Sequence, residues 1–180
     1  MEAQRKAVLF SIKPEWCALI ANGQKTMEIR KTRPKQVPPF KGYIYCSKNG
    51  PLLYLSASHR FGNGKVIGEF TCDRITTYKA GVQFTPDHAP FSVRELACMD
   101  AEQLWSYSGG KRVYGLYITD VKLYGKLLDI WAFGRTCDQK QDCGSWEPGA
   151  DGCHMDGDPC EVALMRAPQS WCYVEELHGS

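Results

Sequence analysis

Several common signatures are missing from this sequence, and each absence narrows its class. No stretch approaches the ~18 consecutive apolar residues of a membrane-spanning helix. The opening MEAQRKAVLFSIKPEW has neither the long apolar core nor the small-residue cleavage site of a signal peptide. The expectation is a cytoplasmic protein with no membrane partner. Charge of one sign is also lacking: 22 Lys and Arg stand against 20 Asp and Glu, for a formal net charge of +2. The global field is then too weak to draw the chain onto nucleic acid or anionic lipid, so any basic binding surface must be local. Histidine is scarce, with 4 residues, and none is tied by spacing to a cysteine in a nucleophile signature. The 9 cysteines include no C-x2-C pair. GNGK and SGGK lack the rest of a phosphate loop and read as turns. Internal repeats and low-complexity tracts are absent too.

What is present describes one domain. With 180 residues, 43% of them hydrophobic, an ordinary core can be buried. AVLFSI reads as a strand. In IKPEWCALIANG, Pro14 suits a first helical turn, Trp16, Leu19 and Ile20 share a face, and Gly23 supplies a left-handed cap. TMEIRK then alternates, with Met27 and Ile29 on one face, Glu28 and Arg30 on the other, and Lys25 at the mouth. TRPKQVPPF, with three prolines, reads as a loop. GYIYCS and GKVIGEFTCDRITTY are strand-like, Gly68 marking a bulge or bend, and PLLYLSASHRFGNG between them reads as irregular. MDAEQLWSYSGG predicts a second short helix, because Asp100 and Gln103 have capping-box spacing. RVYGLYITDVKLYG and SWCYVEEL supply the last strands. Without regular βαβ alternation, this order predicts a mixed α+β domain with a small curled sheet.

The cysteines divide into four early in the chain and five late, the last of them Cys172. Cys17, Cys46, Cys72 and Cys98 lie in apolar or alternating segments and are expected in the core. Cys137, Cys143, Cys153 and Cys160 are spaced C-x5-C-x9-C-x6-C in a Gly- and Asp-rich segment at about residues 134–165, and His154 is an alternative ligand. That segment has no apolar periodicity and cannot bury a core of its own, so a structural zinc would be a useful clip. A loop with free thiols, or disulfides formed on oxidation, are the competing readings. The charged residues also admit several roles. Lys25 can anchor a phosphate or act as a base. Glu28 can orient Lys25, accept from an exocyclic amine or transfer a proton. Arg30 offers a planar fork for phosphate or carboxylate. On spacing alone, an exposed cross-strand ion pair worth ~0–1 kcal/mol competes with all of these.

The pattern Gly23, Lys25, Glu28, Arg30 after a helix resembles the signature of the ASCH domain family, activating signal cointegrator homology, in the PUA-like superfamily. NGKVIGEFTCD, YGLYITDVKLY and APQSWCYVEEL extend the resemblance over most of residues 7–133 and 166–177. It implies a small PUA-like β-barrel with short flanking helices, the Cys-rich insertion preceding the final strand. It also implies a cleft between barrel and first helix, lined by Lys25, Glu28 and Arg30, that binds RNA or a nucleotide and needs no cofactor. Base stacking would fall to Trp16, Tyr43, Tyr45, Trp171 or Tyr173. Trp171 is favoured because the family places the last strand near the cleft, and Gln169 and Ser170 would be polar readers beside it. Some members hydrolyse the acyl group of cytidine acetylated on its exocyclic amine. In those enzymes the motif lysine corresponds to Lys25, while a catalytic threonine stands where this chain has Glu28; the nearest hydroxyl here is Thr26. The alternative implied is a hydrolase, an amidohydrolase on acylated cytidine or a ribonuclease, using Lys25, Glu28 and Thr26, with Glu102 or Glu95 as a further carboxylate.

Overall fold

A computed structural model describes residues 6–136 and 161–177. The elements in order are β1 (Lys6–Ile12), α1 (Pro14–Ala21), β2 (Met27–Arg30), β3 (Phe40–Cys46), β4 (Tyr54–Leu55), β5 (Arg60–Phe61), β6 (Val66–Tyr78), α2 (Phe91–Ala97), α3 (Ala101–Ser108), β7 (Val113–Leu128), a 3-10 turn (Ile130–Ala132), β8 (Gly134–Thr136), β9 (Glu161–Ala163) and β10 (Trp171–Glu175). Six strands form one sheet in the order β10-β1-β3-β6-β7-β2. β1 and β3 run parallel, and every other neighbouring pair is antiparallel.

Curvature comes from the long β6–β7 pair, whose register shifts three times, first between Val66 and Gly68. A Cβ at Gly68 would lie 2.3 Å from the Lys122 carbonyl oxygen, so the bend expected there depends on glycine. The sheet curls without closing as a barrel. Its edge strands, β10 and β2, share no ladder, and side chains join them instead.

Three buried clusters hold the layers. Val8, Phe10, Ile44, Phe70 and Leu116 pack under Cys17 and Ile20 of α1. Met27 and Ile29 pack with Val93 of α2 and Leu104 of α3. On the opposite face, Leu9, Tyr43, Tyr45, Phe133 and Val174 form the third. β1 and β3 are therefore covered on both faces, and Tyr43 and Tyr45, offered as stacking residues, are 0% and 5% exposed. Neither can meet a base.

Local signals account for most helices. Pro14 opens α1 and Gly23 leaves it at φ +77°. Asp100 and Gln103 form the expected capping box of α3. α2 was not expected, and PLLYLSASHRFGNG contains the β4–β5 hairpin rather than an irregular loop. Cys17, Cys46 and Cys72 are buried as expected, but Cys98 is half-buried at the left-handed C-cap of α2, φ +53°. β8 and β9, which flank the Cys-rich segment, pair antiparallel. Cys137, Cys143, Cys153, Cys160 and His154 lie outside the described residues. Among the described residues, no group of three or more His, Cys, Asp or Glu could hold a metal, and no helix is long and apolar enough to cross a membrane.

Candidate functional site

Beyond α1 the backbone is fixed before it reaches β2. The Lys25 N–H donates to Leu19 O at 2.9 Å, Thr26 N–H to Leu96 O at 2.9 Å, and Ile118 N–H to Thr26 O at 2.9 Å. This turn sends the Lys25 side chain inward, where it is 1% exposed. Its Nζ donates to Ala97 O at 2.7 Å, lies 3.4 Å from Glu28 Oε2 and sits 4.8 Å from the centre of the Trp16 ring.

Strand alternation places Glu28 and Arg30 on the same face. Arg30 Nε approaches Glu28 Oε1 at 3.0 Å, an ion contact that lies off the hydrogen-bond axis. The rest of the guanidinium spans the gap between the sheet edges: Nη2 donates to Ser11 O at 2.8 Å, and Nη1 to Ser170 O at 3.2 Å and Ser170 Oγ at 3.3 Å. Arg30 thus clasps β2 to β1 and to the lead-in of β10. Lys25, Glu28 and Arg30 together carry two formal positive charges and one negative, all nearly excluded from water. A surplus buried charge is costly unless carbonyls or a ligand compensate it.

A cavity of about 780 Å³ opens over this triad. Ser11, Lys13 and Trp16 line it from β1 and α1, Lys31 and Thr32 from the exit of β2, and Gln169 and Ser170 from the lead-in of β10. The wall opposite is α3, with Glu102, Gln103, Ser106 and Tyr107, and Met99 just before it. Burial pushes the Tyr107 phenol above its ordinary pKa, while the Arg30 charge and the Lys31 backbone N–H at its hydroxyl act against that rise.

Of the residues singled out in the sequence, Lys25, Glu28, Arg30, Trp16, Gln169 and Ser170 share this cavity. Thr26 and Trp171 do not line it. The Trp171 Nε1 donates to Thr32 Oγ1 at 3.1 Å, and its ring meets Tyr173 edge-on at 5.5 Å, so it braces the loop after β2. Glu102 lines the cavity and Glu95 does not. Sequence reasoning missed Gln103, Ser106 and Tyr107. Their signal was available: with Glu102 they form one polar face of α3 at helical spacing, opposite buried Leu104 and Ser108.

The sequence profile of the ASCH domain matches residues 10–131. Among solved structures, ASCH from Zymomonas mobilis superimposes with a TM-score of 0.51 at 18% identity, over 69% of this chain and 73% of that one. A single-substitution variant of that protein gives a TM-score of 0.50 at 17% identity, over 70% of this chain and 77% of its own. Likeness at such identity is likeness of fold. No curated protein matches the sequence.

Proposed function

Because the chain belongs to the ASCH domain family, which is associated with RNA binding and hydrolase activity, we propose that the cavity binds one nucleotide unit, free or within RNA. The observation that carries this reading is the buried triad at its floor. Two cations share one carboxylate there, and an anionic group in the cavity would supply the missing negative charge. The volume, about 780 Å³, lies within the range of small-molecule sites. Trp16 and Tyr107 offer ring faces for a base, and Gln103, Ser106 and Gln169 offer polar groups for its edge or sugar.

Within this reading Lys25 meets the anion directly. Glu28 holds Lys25 in place, with both carboxylate oxygens engaged by its cationic neighbours. Arg30 is a positioning residue, because its terminal N–H groups are directed at Ser11 and Ser170. Ser170 Oγ and Gln169 present the remaining polar surface.

Hydrolysis is the second reading, and Glu102 favours it. This exposed carboxylate stands in the cavity wall and forms no ion pair among the described residues, so it could accept a proton from an attacking water while Lys25 steadies the developing oxyanion. Thr26, outside the cavity, is badly placed as a nucleophile.

Calorimetric titration with the four ribonucleoside 5′-monophosphates tests the binding reading. The expected result is binding of at least one, weakened roughly tenfold or more in Lys25→Met, as fits loss of a charge-assisted contact. Absence of binding to all four overturns it. Chromatographic turnover of acetylated cytidine, abolished in Glu102→Gln with monophosphate binding retained, would establish the hydrolase.

A further inference from the structure

We propose that a ledge of cations beside the cavity carries the phosphodiester backbone of a single-stranded polynucleotide, so that the cavity's occupant is one unit of a longer strand. This rests on the nucleotide reading above. The ledge begins with composition. Residues 30–39 contain Arg30, Lys31, Arg33 and Lys35 and no carboxylate, and residues 108–119 contain Lys111 and Arg112 and no carboxylate.

The fold brings these two stretches together. β2 runs antiparallel to β7 with Arg30 opposite Tyr114, so the chain leaving β2 and the chain arriving at β7 meet at one end of the ladder. Lys31, Arg33, Lys111 and Arg112 are all exposed. Among the described residues none of the four enters an ion pair, and none donates a side-chain hydrogen bond.

Two of the cations are nevertheless held in place. The Lys31 ammonium lies 5.2 Å from the centre of the Tyr107 ring and the Arg33 guanidinium 5.8 Å from that of Tyr114. A cation resting on a ring keeps its remaining donors free for solvent or phosphate. The loop itself is braced, since Trp171 Nε1 holds Thr32 Oγ1 and the Tyr173 hydroxyl accepts the Lys35 N–H at 2.7 Å. Little ordering would therefore be needed on binding. Lys31 also lines the cavity, which makes ledge and cavity one continuous surface.

Charge complementarity calls for a polyanion, and the rings in the adjoining cavity call for bases. A cavity of this size can take an unstacked base, which a single strand presents and an intact duplex does not.

The test uses the full chain and fluorescence anisotropy with labelled dodecamers of uridine and of deoxythymidine, read across a series of potassium chloride concentrations. In Arg33→Ala/Lys111→Ala/Arg112→Ala, dodecamer affinity should fall roughly tenfold or more, and the slope of log K against log salt should flatten by about 2, near 0.7 per lost single-strand phosphate contact. Monophosphate titrations should be unchanged. Lys111→Ala/Arg112→Ala disturbs neither ring contact and should flatten the slope by about 1.4, which keeps the test open if the triple variant fails to fold. Unchanged dodecamer affinity and slope in folded variants would overturn the ledge while leaving the cavity reading intact. Ledge-dependent dodecamer binding without monophosphate binding would do the reverse. Failure of the wild type to bind either dodecamer overturns the ledge outright, as does equal binding of a duplex or equally effective displacement by polyglutamate.

Discussion

Two clusters on this sheet have the same formal composition, two cations around one carboxylate, and opposite surroundings. Lys25, Glu28 and Arg30 have side chains 1%, 8% and 7% exposed, with contacts of 3.4 and 3.0 Å. Lys41, Glu69 and Lys122 have side chains 31%, 19% and 74% exposed, with contacts of 3.9 and 3.8 Å. In the outer cluster water screens the surplus cation, and Lys41 has a second acceptor in Glu176 at 3.8 Å. A pair of charges about 4 Å apart interacts by ~1 kcal/mol in water and ~4 kcal/mol near a protein surface, so burial raises both the attraction and the cost of any imbalance. Among the described residues, three backbone carbonyls, one hydroxyl and the rings of Trp16 and Phe10 are what offset that imbalance in the inner cluster. An arrangement this costly is a poor stability device, and the proposed nucleotide reading draws on that uncompensated charge.

Removing each carboxylate should break the comparison most widely. Glu28→Ala leaves Lys25 and Arg30 buried beside each other without a counter-ion, and should destabilise the fold by about 3–5 kcal/mol in urea unfolding. Glu69→Ala should cost roughly 1 kcal/mol or less. Similar losses at both sites would mean that the inner triad is solvated after all. Arg30→Lys is a gentler probe. One ammonium cannot meet Ser11, Ser170 and Glu28 together as the planar guanidinium does. The expected cost is about 1–3 kcal/mol, with faster hydrogen exchange at the amides of β10, whose lead-in the clasp holds. Lys41→Arg should stay within about 0.5 kcal/mol.

The same contrast explains what could be read from the sequence. Capping is local, so Pro14, Gly23, Asp100 and Gln103 announced α1 and α3. α2 lacks a capping side chain at Pro90 and ends on Cys98 instead of glycine, and it was missed. The alternation in MEIR gave the shared face of Glu28 and Arg30. Its burial depends on Ser11, Ala97 and Ser170, the last 140 residues from Arg30. No local pattern in β2 could report those partners. Tyr43 and Tyr45 failed as stacking residues for a related reason, since a strand's alternation does not say whether both faces are covered. Two of the four ledge cations, Lys31 and Arg33, stand in TMEIRK and TRPKQVPPF, but their meeting with Lys111 and Arg112 requires the β2–β7 register.

The smallest expected effect uses tyrosines as reporters of the two surroundings. Burial pushes Tyr43 up to about 12, despite the Leu177 N–H donated to its hydroxyl. Burial also raises Tyr124, and Glu69, which accepts its hydroxyl proton at 2.8 Å, raises it further. An unfolded tyrosine ionises near pH 10. The folded state therefore holds protons that the unfolded state has already released, and the stability contributed by Tyr43 is complete below about pH 10 and lost as the pH rises through about 12. Phenolate absorbance should show Tyr43 still protonated above pH 10. In Glu69→Gln, Tyr124 should ionise earlier because the outer carboxylate no longer opposes its charge. The Tyr107 phenol beside the inner triad should respond weakly to the equivalent Glu28→Gln change, since Glu28 ranks behind both burial and the opposing Arg30 charge there. If Tyr107 instead moves as far as Tyr124, Glu28 outweighs Arg30 at the cavity wall, and the surplus positive field that the proposed nucleotide binding invokes is absent.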